Sequence, residues 1–193
     1  MTTSDIYQYG ISFLDQYALL IALFLVVLAI AIYLGRSNLK QAWRNIKTRD
    51  RLNRLGLKQI SNFQCPDGLG HYFNIDRLVM RHDGISLLVF KQYAGSIFCA
   101  DNIDEWTQLL AGKSYRFKNP LAELDFQVKA VSAFIPDVPV DGFLLFGRQT
   151  EFPKGHPDRV IRIDKIPDAL KRNDQHQVQT SVESAWKKLS TLQ

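Results

Sequence analysis

The chain is poor in the residues that disulfide frameworks, metal centres and nucleophile motifs require. It has two cysteines, Cys65 and Cys99, in 193 residues, and they lack metal-ligand spacing, which excludes a disulfide scaffold and a cysteine-rich zinc module. Both are expected as reduced thiols in a core. The four histidines, His71, His82, His156 and His176, are scattered without ligand spacing, so none is expected to hold a metal. No Gly-x-Ser-x-Gly sequence is present, which argues against a nucleophile elbow. Gly68 and Gly70 belong to a turn and not to a phosphate-binding loop. There is no internal repeat and no low-complexity run. The most informative absence is one of charge: residues 1–35 contain neither Lys nor Arg.

Within that stretch, Tyr17 to Leu34 reads YALLIALFLVVLAIAIYL, with no charge, Pro or Gly. As a helix it would span about 27 Å, near the roughly 30 Å of a bilayer's hydrocarbon core. Tyr17 and Tyr33 stand at its ends, where amphipathic rings favour the interface. A core helix would carry a polar stripe, and this run has none. The rival is a cleaved signal peptide, since Ala29-Ile30-Ala31 resembles a cleavage site. Against it, Asp5 and Asp15 precede the run where a positive cluster is needed, and the apolar residues continue past Ala31. The expectation is a single-pass transmembrane helix over 17–35, after a short extracytoplasmic segment, 1–16. No small-xxx-small signature suggests pairing of such helices.

Arg36, Lys40, Arg44, Lys47, Arg49, Arg51 and Arg54 follow, with Asp50 the one acid among them. Positive charge next to a span stays inside. The N-terminus is therefore expected outside, and the rest of the chain on the cytoplasmic side of an inner (plasma) membrane of bacterial type. Most of these residues recur every three or four positions, so they share one face of an expected basic helix over 36–57. That face suits anionic headgroups or nucleic acid, or serves only to set topology. The chain carries a net +5 and this segment alone +6, so the remainder is near neutral. The high overall pI therefore says little about a nucleic-acid surface on the domain.

From Leu57 the pattern becomes strand-like. Residues 58–65, 71–80 and 85–91, separated by Pro66–Gly70 and His82-Asp83-Gly84, predict an antiparallel meander. SIFCA after Gly95 predicts a short fourth strand. Asn119-Pro120 opens a helix over 121–135, with Leu121, Leu124, Val128, Val131 and Ile135 at helical spacing. Strands are expected at 143–147 and 159–163, and helices at 166–172 and 176–192. The fold class is α/β: a single mixed sheet flanked by helices, beside the N-terminal transmembrane helix.

Several spaced residues then form a pattern: Asn74-Ile75-Asp76-Arg77-Leu78-Val79, Gly84-Ile85, Lys91 with Tyr93 and Gly95, Trp106, Phe117-Lys118-Asn119-Pro120-Leu121, and Phe143-Leu144-Leu145-Phe146-Gly147-Arg148. This series resembles the nuclease-related domain (NERD) family over roughly residues 55–165. The domain proper is set at 58–165, with a C-terminal helical segment at 166–193. The resemblance implies a restriction-endonuclease-like core and phosphodiester hydrolysis assisted by Mg²⁺, held by two carboxylates on neighbouring strands. Asp76 matches the first carboxylate and metal ligand, and Lys91 the charge-stabilising lysine.

The second carboxylate is replaced. The family reads Gly-Ile-x-x-x-Glu-x-Lys, and this chain reads Gly84-Ile85-Ser86-Leu87-Leu88-Val89-Phe90-Lys91, with Val89 at the Glu position. An alkyl group has no lone pair for a metal. Glu123 stands where the family has a Gln after Asn-Pro-Leu, and is a candidate relocated carboxylate. Asp50 is the one acid upstream that offers another substitute. Arg77, Lys118 and Asn119 are the expected nucleic-acid contacts. Each also has a structural role open to it: Asp76 in an ion pair with Arg77 or Lys91, Lys91 as a strand end reaching water, and Trp106 as core packing. The expectation is a membrane-anchored domain that associates with DNA or RNA and carries a degenerate metal site, with weak or no cleavage. The alternatives are a protein-interaction module at the membrane and an active Mg²⁺-dependent nuclease with a rearranged site.

Overall fold

The computed structural model describes residues 17, 18, 20–28, 30, 50–66, 70–175 and 177–192. The chain divides into two units, 1–49 and 50–193, each taken by itself. In the first, the described residues from Tyr17 to Ile30 are helical, and the side chains of Leu20, Phe24 and Ile30 among them are exposed. Among the described residues no helix is long and apolar enough to cross a membrane. The remainder of the expected span, Leu19, Ala29 and 31–35, lies outside the described residues, as does the basic stretch 36–49.

The second unit opens with a helical turn at 50–53, followed by an isolated bridge from Leu55 to Lys171. The helix expected through residue 57 therefore ends earlier. Gly56 has a φ of +52°, and a Cβ there would meet the carbonyl oxygen of Met80 at 2.5 Å. A left-handed glycine of this kind stops a helix and lets two backbones close on each other.

Strands β1 (Lys58–Pro66), β2 (Tyr72–Met80) and β3 (Ile85–Lys91) form the expected antiparallel meander. Strands β7 (Val140–Phe146) and β9 (Val160–Arg162) then add in parallel, giving the order β1-β2-β3-β7-β9. The mixed sheet is thus present, but it is not single. A second, four-stranded sheet runs β6-β5-β4-β8, built from β4 (Gly95–Phe98), β5 (Glu105–Leu110), β6 (Lys113–Lys118) and β8 (Thr150–Glu151). The β5–β6 hairpin escaped the sequence reading for two reasons. Trp106 is its one fully buried side chain, so alternation is faint. Its turn, Ala111-Gly112, has positive φ at both residues, the primed geometry usually announced by Asn-Gly.

The central helix, Leu121–Phe134, stands where expected. The helix expected over 166–172 is a single 3-10 turn, Asp168–Leu170, and the C-terminal helix is confined to Thr180–Ser190. Both full helices cover one face of the first sheet, where Ile60, Leu78, Ile85 and Leu87 meet Val131, Trp186 and Leu189. A second cluster joins other side chains of these strands, Val79, Leu88, Leu145 and Ile161, to Leu52 and Leu55 before β1 and to Ile163 and Leu170 after β9. The third cluster joins the two sheets: Val89, Leu144, Phe146 and Val160 pack with Ile97, Trp106, Leu121 and Leu124.

Candidate functional site

The candidate site lies where β2 parts from β3. The β1–β2 hairpin changes faces midway: Ile60 and then Phe63 and Cys65 bury in the same cluster, as do Ile75 and then Leu78 and Met80. Asn62 takes a φ of 55° at this step, and the register places it opposite Asp76. The β2–β3 ladder stops at Arg77↔Leu88. Two residues further on, the Phe90 amide finds no β2 carbonyl in that ladder. Asp76 Oδ2 accepts its N–H instead, at 2.7 Å. The carboxylate thus ends the ladder and satisfies a backbone donor that would otherwise lack a partner.

Asp76→Ala is accordingly expected to destabilise the fold by about 1.5–3 kcal/mol, the usual effect of a lost hydrogen bond to a charged group. Asp76→Asn keeps an acceptor and should lose less. Urea unfolding of both variants checks this, and equal losses would remove the assigned role.

On β3 the alternation is regular. Leu88 joins the cluster of Leu52 and Leu55, with Phe90 packed against it, while Leu87 and Val89 join clusters containing the central helix. Val89 is 7% exposed among Ile97, Trp106, Leu121, Leu124 and Leu144. By the same alternation Lys91 follows on the helix face. Its Nζ lies 3.1 Å from Glu123 Oε2 in the first turn of the helix, with Lys91 largely covered and Glu123 open to solvent. Lys91 and Glu123 thus come together, and Asp76 reaches the residue next to Lys91.

The other candidates are engaged elsewhere. Arg77 donates to Gln59 Oε1, and Gln59 Nε2 donates in turn to the carbonyls of Leu52 and Leu55, which ties β2 to the segment before β1. The Asn119 amide donates to the carbonyls of Asp101 and Ile103, at 3.1 and 2.9 Å, and its Oδ1 accepts the Leu121 N–H at 2.9 Å. It locks the loop before β5 to the start of the central helix. Lys118 ends β6 opposite Glu105 and is exposed. Asp50 pairs with Arg54 at 2.9 Å. Trp106 is core, with its indole N–H donating to Ala100 O at 3.0 Å.

One side chain beside the site was not singled out from sequence. Gln127, one helical turn after Glu123, is buried, and its Oε1 has no hydrogen-bond partner among the described residues. The available signal was a polar residue within the helix's apolar series.

Whether this donor set fits Mg²⁺ can be judged from its chemistry. Asp76 already commits one oxygen to Phe90, Val89 is alkyl and enclosed, and Glu123 is held by an ammonium. A hard divalent cation needs several oxygens around one point. Among the described residues no group of three or more His, Cys, Asp or Glu is placed to hold a metal. The set does not fit a two-carboxylate site.

Both thiols are free. Burial pushes Cys65 up to about 11, and burial together with the nearby Asp101 carboxylate pushes Cys99 up to about 11 as well. At pH 8 only about one thiol in a thousand would then be thiolate, against roughly a quarter for an ordinary cysteine. Alkylation of the native chain should therefore be slow at pH 8, accelerate about tenfold per pH unit, and become fast in denaturant. Fast labelling of the native chain at pH 8 would contradict this.

A profile of the nuclease-related domain matches residues 35–147, more than half of the chain. The chain belongs to the nuclease-related domain family. No curated protein matched, and no solved structure matched. The NERD match takes in β1 to β7 and the central helix. It ends at Gly147, before β8, β9 and the C-terminal helix. Asp76, Val89 and Lys91 all fall within it.

Proposed function

We propose that this protein is a membrane-tethered, restriction-endonuclease-like NERD domain that associates with nucleic acid and does not hydrolyse it. The observation that carries the reading is Val89. At the family's carboxylate position it is closed into the apolar cluster with Trp106, Leu121 and Leu144, next to a lysine already neutralised by Glu123. A polarising metal and a free ammonium are what phosphodiester cleavage needs at that point. The tether rests on the uncharged run Tyr17–Leu34 and the basic residues after it, a charge asymmetry that favours a cytoplasmic domain near anionic surfaces. Nucleic-acid contact is then electrostatic, carried by lysines and arginines.

The test uses the full chain in detergent micelles, with single- and double-stranded DNA and RNA, in Mg²⁺, Mn²⁺ or EDTA. Binding is expected to weaken steeply with salt, to be indifferent to EDTA, and to occur without cleavage. Metal-dependent cleavage that Asp76→Asn abolishes would overturn the reading in favour of a rearranged active site using Glu123. Absence of binding at low salt would overturn it in favour of a protein-interaction module.

A further inference from the structure

A cavity of about 230 Å³ is lined by Arg51, Arg54, Leu55, Ile163, Asp164, Ile166 and Lys171. It is built from the Leu52, Leu55 and Ile163 cluster, whereas Val89 and the central helix belong to another. From it we infer that the protein carries a second site, for a phosphate monoester group.

Three observations carry the inference. The charges lining the cavity are three cations and one carboxylate. That carboxylate, Asp164, is occupied: Arg162 Nε and Nη2 hold its two oxygens at 2.9 and 2.7 Å, which lowers its pKa below the ordinary carboxylate range. The carboxylates that accompany Arg54 and Lys171 are Asp50, at 2.9 Å, and Asp168, at 2.6 Å, and neither lines the cavity. The lining thus carries three cations against the single carboxylate Asp164, and Arg51 is the lining cation without an ion-pair partner among the described residues.

Backbone pairing also brings the two segments of the frame together. The bridge Leu55↔Lys171 is flanked by the hydrogen bonds Gly56 N–H to Leu170 O and Arg172 N–H to Arg54 O, both 3.0 Å. It fixes the backbones that bear Arg54 and Lys171 side by side, although they are far apart in sequence. Finally, the size discriminates. The volume is below that of whole-cofactor pockets, roughly 300–1,000 Å³, and suits a phosphate with a few further atoms over the apolar floor of Leu55, Ile163 and Ile166. A phosphate monoester carries nearly two negative charges and three acceptor oxygens at neutral pH. Guanidinium forks match that geometry. A lipid headgroup and a soluble phosphate ester share this chemistry.

The full chain in neutral detergent is titrated calorimetrically with inorganic phosphate, glycerol 3-phosphate and short-chain phosphatidic acid. Saturable binding of at least one is expected, with a dissociation constant below about 1 mM. The double variant Arg51→Gln/Lys171→Gln should weaken it about tenfold or more, since both lost groups are charged donors. Arg116→Gln, on the exposed edge strand β6, should leave it unchanged. All these side chains are exposed, so the variants are expected to fold, and their melting temperatures report it. Phosphatidic acid binding tenfold tighter than glycerol 3-phosphate assigns the site to a lipid headgroup, and equal affinities assign it to a soluble ester. No saturable binding of any probe, or equal binding by the double variant, overturns the inference.

Discussion

Val89→Glu is expected to cost about 3–5 kcal/mol of folding stability at pH 7, the range for an uncompensated charge in a protein interior. The substituted side chain would enter the cluster of Ile97, Trp106, Leu121, Leu124, Leu144 and Phe146, where Val89 is almost fully enclosed. Lys91 is close but already faces Glu123 at 3.1 Å. Burial disfavours the ionised carboxyl, so its folded pKa lies above the unfolded value of roughly 4.3. Between those two values the unfolded chain binds fewer protons, so the penalty grows as pH rises from about 4.3 toward the folded pKa. Urea unfolding at pH 4 and pH 7 should show the larger loss at pH 7. A loss below about 0.5 kcal/mol, the level of an ordinary surface change, would show that Val89 is not enclosed. The inference of a degenerate site would fall with it.

Trp106→Ala should cost about 3–5 kcal/mol, as large-to-small changes of buried aromatic residues do. Trp106 is fully buried and is the side chain by which β5 enters the shared cluster. Its ring lies 6.1 Å from that of Phe117 and 6.4 Å from that of Phe146, with Tyr93 stacked on Phe117 at 4.3 Å. Removing the indole opens a cavity between the sheets and takes away the shorter of two side-chain hydrogen bonds to the Ala100 carbonyl, the other coming from Asn119 Nδ2 at 3.5 Å. Trp106→Phe retains most of the apolar area and loses the hydrogen bond, so it should cost about 1–2 kcal/mol. Chemical denaturation separates the two, and similar losses in both would mean that the hydrogen bond, not the volume, holds the sheets together.

Much of the candidate site could be read without coordinates. Asp76 and Lys91 lie on strands whose hydrophobic pattern and turn residues are strong, and Glu123 sits one turn inside a helix announced by Asn119-Pro120. What escaped was the employment of these side chains. Asp76 was expected as a ligand or as half of an ion pair, whereas its Oδ2 accepts a backbone amide on β3. Asn119 and Arg77 were expected to face nucleic acid. Their hydrogen bonds run instead to the Asp101–Ile103 loop and to Gln59. Such partners are set by backbone groups far away in sequence, and no local pattern records them.

The sequence alone determined the local and the chemical: the apolar run with its flanking charge, the meander and the central helix. Each follows from the periodicity or chemistry of neighbouring residues. Tertiary structure decided how distant segments meet. The second sheet forms because one buried tryptophan and a primed turn outweigh a weakly patterned hairpin. The cavity of Arg51, Arg54 and Lys171 exists because backbone hydrogen bonds bring residues 54–56 against 170–172. Both depend on long-range pairing, whose free energy is spread over the whole core and leaves no mark at any single position.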